Sequence, residues 1–223
     1  MLSINKEGLF TIGVCIVATI LIFLVNSSLG LICAGISAIV VYFFRDPQRV
    51  IPAVKDVVLS PADGVICGIS ECKAPEICNT DVTMKKISIF LSPLNVHVNR
   101  IPFSGTVKKL NYVPGKSIRA DYDSSESKNE RQETLIETEN GTQIVVFQQT
   151  GFLTRRIVCN LKQEQEVQAG KRFGIIKFGS RVTIYLPQDV KILVEKGQTA
   201  TAGETMLATF GNELPLEKEF FVD

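Results

Sequence analysis

The stretch Lys171–Pro187, KRFGIIKFGSRVTIYLP, decides how the chain is read. Apolar, partly alternating residues flank Gly179-Ser180: Phe173, Ile175, Ile176 and Phe178 before it, Val182, Ile184, Tyr185 and Leu186 after it. This pattern predicts two β-strands meeting at a small-residue turn. Glycine lets the backbone take φ > 0, and serine sets a hydroxyl close to the preceding carbonyl. A Gly-Ser step is ordinary turn punctuation in itself, so its meaning depends on its company.

Outward from that stretch, the chain beyond residue 50 keeps the same character. Val57–Leu59, Gly64–Ile69, Lys86–Leu91, Gly105–Leu110, Thr134–Thr138, Gln143–Gln148 and Arg156–Cys159 are short apolar or alternating runs. Gly, Pro, Asn and Asp separate them, as in a β-sandwich or barrel. The segment Lys191–Leu207 resembles the hammerhead half of a biotinyl or lipoyl carrier domain, but no lysine stands at a tight hairpin tip. Tyr112–Gly141 is charged and serine-rich, with little apolar area to bury before Leu135, and reads as a mobile loop. Gln148-Gln149-Thr150 is more polar than a buried strand would be there.

The N-terminal part differs. No charged residue lies between Gly8 and Phe44, and the run divides at Asn26-Ser27-Ser28 into Gly8–Val25 and Leu29–Phe44. Each half is near the minimum for a membrane-spanning helix, about 17–25 residues. Lys6 precedes the run and Arg45, Arg49 and Lys55 follow it, so the positive-inside tendency predicts a helical hairpin with both ends in the cytoplasm. No A-x-A-like site follows Val25, which weighs against a signal peptide; a hairpin dipping into one leaflet stays open. Aromatic Phe43-Phe44 and helix-stopping Pro47 close this part. The expected division is a membrane-anchoring hairpin over 1–47 and a mainly β domain over 48–223.

Composition excludes some roles. With 223 residues and a net charge of +1 the chain carries no basic field for nucleic acid. Six cysteines form no CxxC pair and there is one histidine, leaving little from which to build a zinc site. Three stretches carry reactive groups: Ser60–Gly64 (SPADG) with Asp63 in a turn, Leu91–Pro102 with His97 between two valines, and Gly179-Ser180. A hydroxyl, a base and an orienting carboxylate are the ingredients of an activated serine. They do not say whether Ser180 attacks a substrate or its own backbone.

The motifs FFRDPQR (43–49), SPADG (60–64), LSPLNVHVNRIPFSG (91–105), NER (129–131), RRIV (155–158) and FGSRVTIYLP (178–187) together resemble the short bacterial form of phosphatidylserine decarboxylase. The resemblance implies a proenzyme that cuts itself between Gly179 and Ser180, giving a β chain (1–179) and an α chain (180–223). Ser180 would become a pyruvoyl cofactor that forms a Schiff base with the amine of phosphatidylserine, yielding phosphatidylethanolamine and CO2. His97 is the expected base and acid, with Asp63 orienting it or polarising the site. The resemblance also implies phosphatidylserine in the cytoplasmic membrane as partner, a catalytic domain on the cytoplasmic side, and a possible homo-oligomer.

Longer members of that family carry a second histidine three positions after the first, where this chain has Arg100. Either His97 serves both self-cleavage and decarboxylation, or Arg100 and Asp63 share the work. Arg100, Arg155, Arg156 and Arg181 are candidates for anionic head-group contacts through forked donors. Two rival readings remain. One is a membrane-anchored serine hydrolase using Ser180, His97 and Asp63, although no G-x-S-x-G elbow surrounds the serine. The other is a carrier-like or scaffolding module that needs neither cleavage nor His97.

Overall fold

The computed structural model describes residues 3–115, 129–151, 156–177, 180–211 and 220–223. The chain divides into two compact units, one formed by Met1–Gln48 with Leu94–Val96 and the other by Arg49–Pro93 with His97–Asp223.

The first unit is built on two helices, α1 (Lys6–Val25) and α2 (Ser27–Phe43). Asn26 alone joins them. Its extended backbone (φ −151°) ends α1, and its Oδ1 accepts from Leu29 N–H at 3.1 Å, capping α2. Thr19 Oγ1 lies 2.9 Å from Ser37 Oγ and donates to the Cys15 carbonyl, so the hydroxyls between the helices are satisfied among themselves. The remaining surface is apolar: Phe10, Leu24 and Val25 are 83, 78 and 89 % exposed. α1 is long and apolar enough to cross a membrane, and α2, at 17 residues, is a shorter apolar helix. Exposed aliphatic side chains in this number gain nothing from water, which is the physical ground for membrane association.

The second unit is mainly β. Among the described residues an eight-stranded antiparallel sheet runs in the order β10 (Glu166–Val167), β6 (Gly105–Val113), β7 (Arg131–Glu137), β8 (Gln143–Thr150), β12 (Ser180–Pro187), β4 (Thr83–Leu91), β3 (Gly64–Lys73), β14 (Thr199–Ala200). Two three-stranded sheets accompany it: β5 (Val98–Arg100), β11 (Arg172–Lys177) and β9 (Arg156–Cys159); and β13 (Lys191–Ile192), β15 (Met206–Thr209) and β2 (Val57–Leu59). β1 (Val50–Pro52) pairs with β16 (Phe220–Val222). Alternation decides the faces. Ile87, Ile89, Leu91, Val146, Val182, Ile184 and Leu186 point inward and pack with Val58, Phe173, Ile176, Leu207 and Ala208 of the smaller sheets into one core. On the other face Met84, Leu135, Val145, Phe147 and Tyr185 form a second cluster, covered by the 3₁₀ turn Glu76–Cys78.

The structure bears on two expectations. The two strands expected within Lys171–Pro187 are present, and they join different sheets: β11 pairs with β5 and β9, whereas β12 lies in the large sheet between β8 and β4. Alternating apolar residues specify a strand and its buried face, not the sheet it joins. The second concerns Tyr112–Gly141. Its edges are strand, β6 running to Val113 and β7 starting at Arg131, because Thr134, Leu135 and Ile136 have a core to enter. Residues 116–128 of that expected loop lie outside the described residues.

Candidate active site

Strand register brings the three reactive stretches to one end of the unit. Ser180, the first residue of β12, stands opposite Leu91 of β4 on one side and Thr150 of β8 on the other. β3 pairs Val65 with Phe90, and the same register carries Gly64 opposite Leu91. Gly64 must be glycine because a Cβ there would run into the Phe90 carbonyl. Asp63 is thus the residue just before β3, two strands from Ser180, a separation of roughly 10 Å at the usual spacing.

His97 arrives by two routes. It follows the β4 partner of Ser180 by six residues, and its carbonyl accepts from Ile176 N–H at 3.3 Å, four residues before Ser180. The SPADG turn is held against β5, the strand that follows His97, since Arg100 N–H donates to the Pro61 carbonyl at 3.0 Å. Ser180 and His97 are both fully buried. Gly179, the residue before Ser180 in the expected cleavage site, lies outside the described residues.

Asp63 is fixed by two groups from distant parts of the chain. Its Oδ2 accepts from Arg49 Nη2 at 2.6 Å, and its Oδ1 accepts from Ala202 N–H at 2.8 Å.

The four candidate arginines have separate fates. Arg100 is buried: its Nη1 donates to the Gly170 carbonyl and to Asp223 Oδ2. Asp223 also meets Lys171 at 2.7 Å and Arg172 at 2.6 Å. Burial opposes the charge on Asp223, but the Lys171 and Arg100 hydrogen bonds and the nearby Arg172 charge outweigh it and hold the carboxyl below its usual range. Arg181 is buried on the face of β12 opposite Ser180, beside Gln149 and Phe90, because successive strand residues point to opposite sides. Arg156 is exposed, across from Lys177 in the β9–β11 pair. Arg155 lies outside the described residues.

The structure adds residues that sequence reasoning left out. Arg49 and Asp223 were unreadable as partners because they lie 14 and 123 residues from the side chains they bind. Asn99 and Gln148 carried a signal, the excess polarity of Gln148-Gln149-Thr150. Gln148 Nε2 donates to Asn99 Oδ1 at 2.8 Å, both residues being fully buried. Among the described residues Asn99 Nδ2, Gln148 Oε1 and Ser180 Oγ are buried with no hydrogen-bond partner. A polar atom left so costs about 1–3 kcal/mol, and such atoms in a native structure call for an explanation.

The sequence matches the phosphatidylserine decarboxylase family over residues 36–208. It is 57 % identical over 221 residues to a protein of Neorickettsia sennetsu named phosphatidylserine decarboxylase proenzyme, covering 99 % of this chain and 98 % of the other. Proteins of the same name from Ehrlichia chaffeensis and Rickettsia bellii are 49 and 47 % identical; the matches cover 92 and 97 % of this chain and 91 and 94 % of theirs.

Proposed function

Since the chain belongs to the phosphatidylserine decarboxylase family and is a carboxy-lyase, we propose that it is a proenzyme that cuts itself between Gly179 and Ser180 and then decarboxylates phosphatidylserine to phosphatidylethanolamine and CO2. The observation that carries the self-cleavage is the state of Ser180: fully buried, its hydroxyl without a partner among the described residues. A hydrolase nucleophile has to meet an incoming ester. The Gly179 carbonyl is covalently adjacent to that hydroxyl's residue, and no G-x-S-x-G elbow surrounds Ser180 as a hydrolase nucleophile requires, so the hydrolase reading is disfavoured.

The cut proceeds by addition of Ser180 Oγ to the Gly179 carbonyl, and the peptide nitrogen leaves as the amine of residue 180. The ester so formed is lost by β-elimination, in which a base takes the Cα proton of residue 180 and the Gly179 carboxylate departs. The resulting dehydroalanine hydrolyses to ammonia and a pyruvoyl group. Ser180 suits this fate, because its hydroxyl makes no hydrogen bond among the described residues that elimination would break. Pairing with Leu91 and Thr150 keeps residue 180 in the sheet. The pyruvoyl ketone supplies condensation with the substrate amine and an electron sink for the departing carboxylate.

The chain's own groups do the rest. His97, the only histidine, takes and returns protons beside residue 180. Asp63, anchored by Arg49 and Ala202, holds a negative charge at the same end of the sheet. Arg100 acts by holding β5, with its guanidinium committed to Gly170 and Asp223. The hairpin keeps the chain at the cytoplasmic membrane, with the β unit on the cytoplasmic side where the lipid head group is presented.

The test is Ser180→Ala in the full chain. The expected product is a single uncut, inactive polypeptide, since the β-hydroxyl is needed both to cut and to become the ketone. Normal decarboxylation by that variant would overturn the proposal.

A further inference from the structure

Gln148 belongs to β8 and Asn99 to β5, so their hydrogen bond joins the large sheet to a small one. The reach is possible because Gly174 of β11 lies between them. A Cβ at that position would stand 2.9 Å from Gln148 Nε2. Gln148 shares the inward face of β8 with Thr150, which is directly opposite Ser180. Asn99 is two residues from His97 and so comes from the same short segment. The amide pair spends one donor and one acceptor on itself and leaves one of each, Asn99 Nδ2 and Gln148 Oε1, buried and unmatched among the described residues, in the same part of the core as Ser180 Oγ, likewise unmatched among them. Exchanging O and N in both amides leaves the same complement, one donor and one acceptor.

A bridge built only to hold two sheets together would be better served by a pair that satisfies itself, or by apolar side chains. One remaining donor beside one remaining acceptor matches a ligand carrying an acceptor next to a donor. An α-amino acid head has both, a carboxylate and an ammonium on one carbon. We propose that the Asn99–Gln148 pair is the recognition site for the serine head of the substrate, Asn99 Nδ2 donating to the carboxylate and Gln148 Oε1 accepting from the ammonium as it approaches residue 180. The pair is neutral, so it orients the carboxylate without fixing it in an ion pair that would oppose loss of CO2. It also discriminates against the product, in which the carboxylate is gone and the Asn99 donor has no partner.

This inference rests on the proposed decarboxylase activity, and the experiment separates the two. Full-length wild type, Asn99→Asp and Gln148→Met are reconstituted in micelles, and the fraction cut at residue 180 is measured with the melting temperature. Affinity for N-acetyl glycerophosphoserine is then measured by calorimetry against N-acetyl glycerophosphoethanolamine; the blocked amines keep both probes from reacting. Wild type is expected to prefer the serine probe. Asn99→Asp, which replaces the donor by a negative charge, is expected to cut normally and lose roughly tenfold or more in affinity for the serine probe alone, the scale of a hydrogen bond to a charged group. Gln148→Met is expected to cut normally and to raise the KM for phosphatidylserine in phosphatidylcholine vesicles more than it lowers kcat.

Unchanged probe affinity and KM in folded, cut variants would overturn the assignment and leave the open atoms to a structural water. Loss of folding in both variants would also overturn it, making the pair a structural bridge. A wild-type chain that stays whole would instead refute the decarboxylase mechanism beneath it.

Discussion

At the scale of single residues, Asp63 and Asp223 are the two carboxylates whose partners say most about them. Asp63→Asn keeps an acceptor for Ala202 N–H but removes the charge facing Arg49. The expected loss is about 1–3 kcal/mol of stability, the scale for breaking a charged hydrogen bond, together with slower appearance of the cut chains; melting and time-resolved electrophoresis measure the two. Equal stability and equal cutting would show that Asp63 matters to neither. Asp223 makes a pH prediction. Its carboxyl is held below its usual range, so the stabilisation it gives is complete above the ordinary aspartate value of about 3.9 and fades as pH falls from there through the lowered value. Asp223→Asn should therefore melt lower than wild type at neutral pH, and the gap should close in strong acid. A gap that widened on acidification would contradict the network around Arg100.

Elements were legible to different degrees. The helical hairpin was readable because an uncharged run of this length has few other fates, and Val57–Leu59 and Arg156–Cys159 begin and end where the alternation says. Partnership was not readable. Nothing in Phe173–Ile176 or Val182–Leu186 tells that β11 joins β5 while β12 joins β4 and β8, since both present apolar residues to the same core. Ser180, His97 and Asp63 could be named from their chemistry, but the strand registers that set Ser180 beside β4 and Asp63 just before β3 are displayed only by the folded chain. Gln148 shows the reverse case, a local anomaly in the sequence whose cause, the contact with Asn99 across Gly174, is non-local. For α1 the expected behaviour follows from its exposed apolar surface. Ile16→Arg, near the middle of the helix, adds about 2.5–3.5 kcal/mol to insertion and should move the full chain from the membrane pellet towards the soluble fraction on flotation. Unchanged flotation would mean that α1 does not anchor the chain.

Over the whole molecule, the proposed cut severs one bond in a fold that is interleaved around it. Among the described residues every strand from Ser180 onward pairs with an earlier strand or with one that does: β12 with β4 and β8, β14 with β3, β15 with β2, β16 with β1, and β13 with β15. The two chains should therefore stay together through purification and separate only in denaturant. Ile184, Leu186 and Leu207 of the small chain lie in the same core as Ile87, Ile89 and Val146 of the large one, which adds an apolar hold to the ladders. Processing can thus create a reactive group at a strand end without dismantling the sheet. The central claim is that Ser180 is converted, and an intact-mass spectrum of the denatured, purified protein tests it most directly. The account predicts a small chain starting at residue 180, lighter than its encoded sequence by the change from an N-terminal serine to a pyruvoyl group. A single unmodified chain of 223 residues would contradict it.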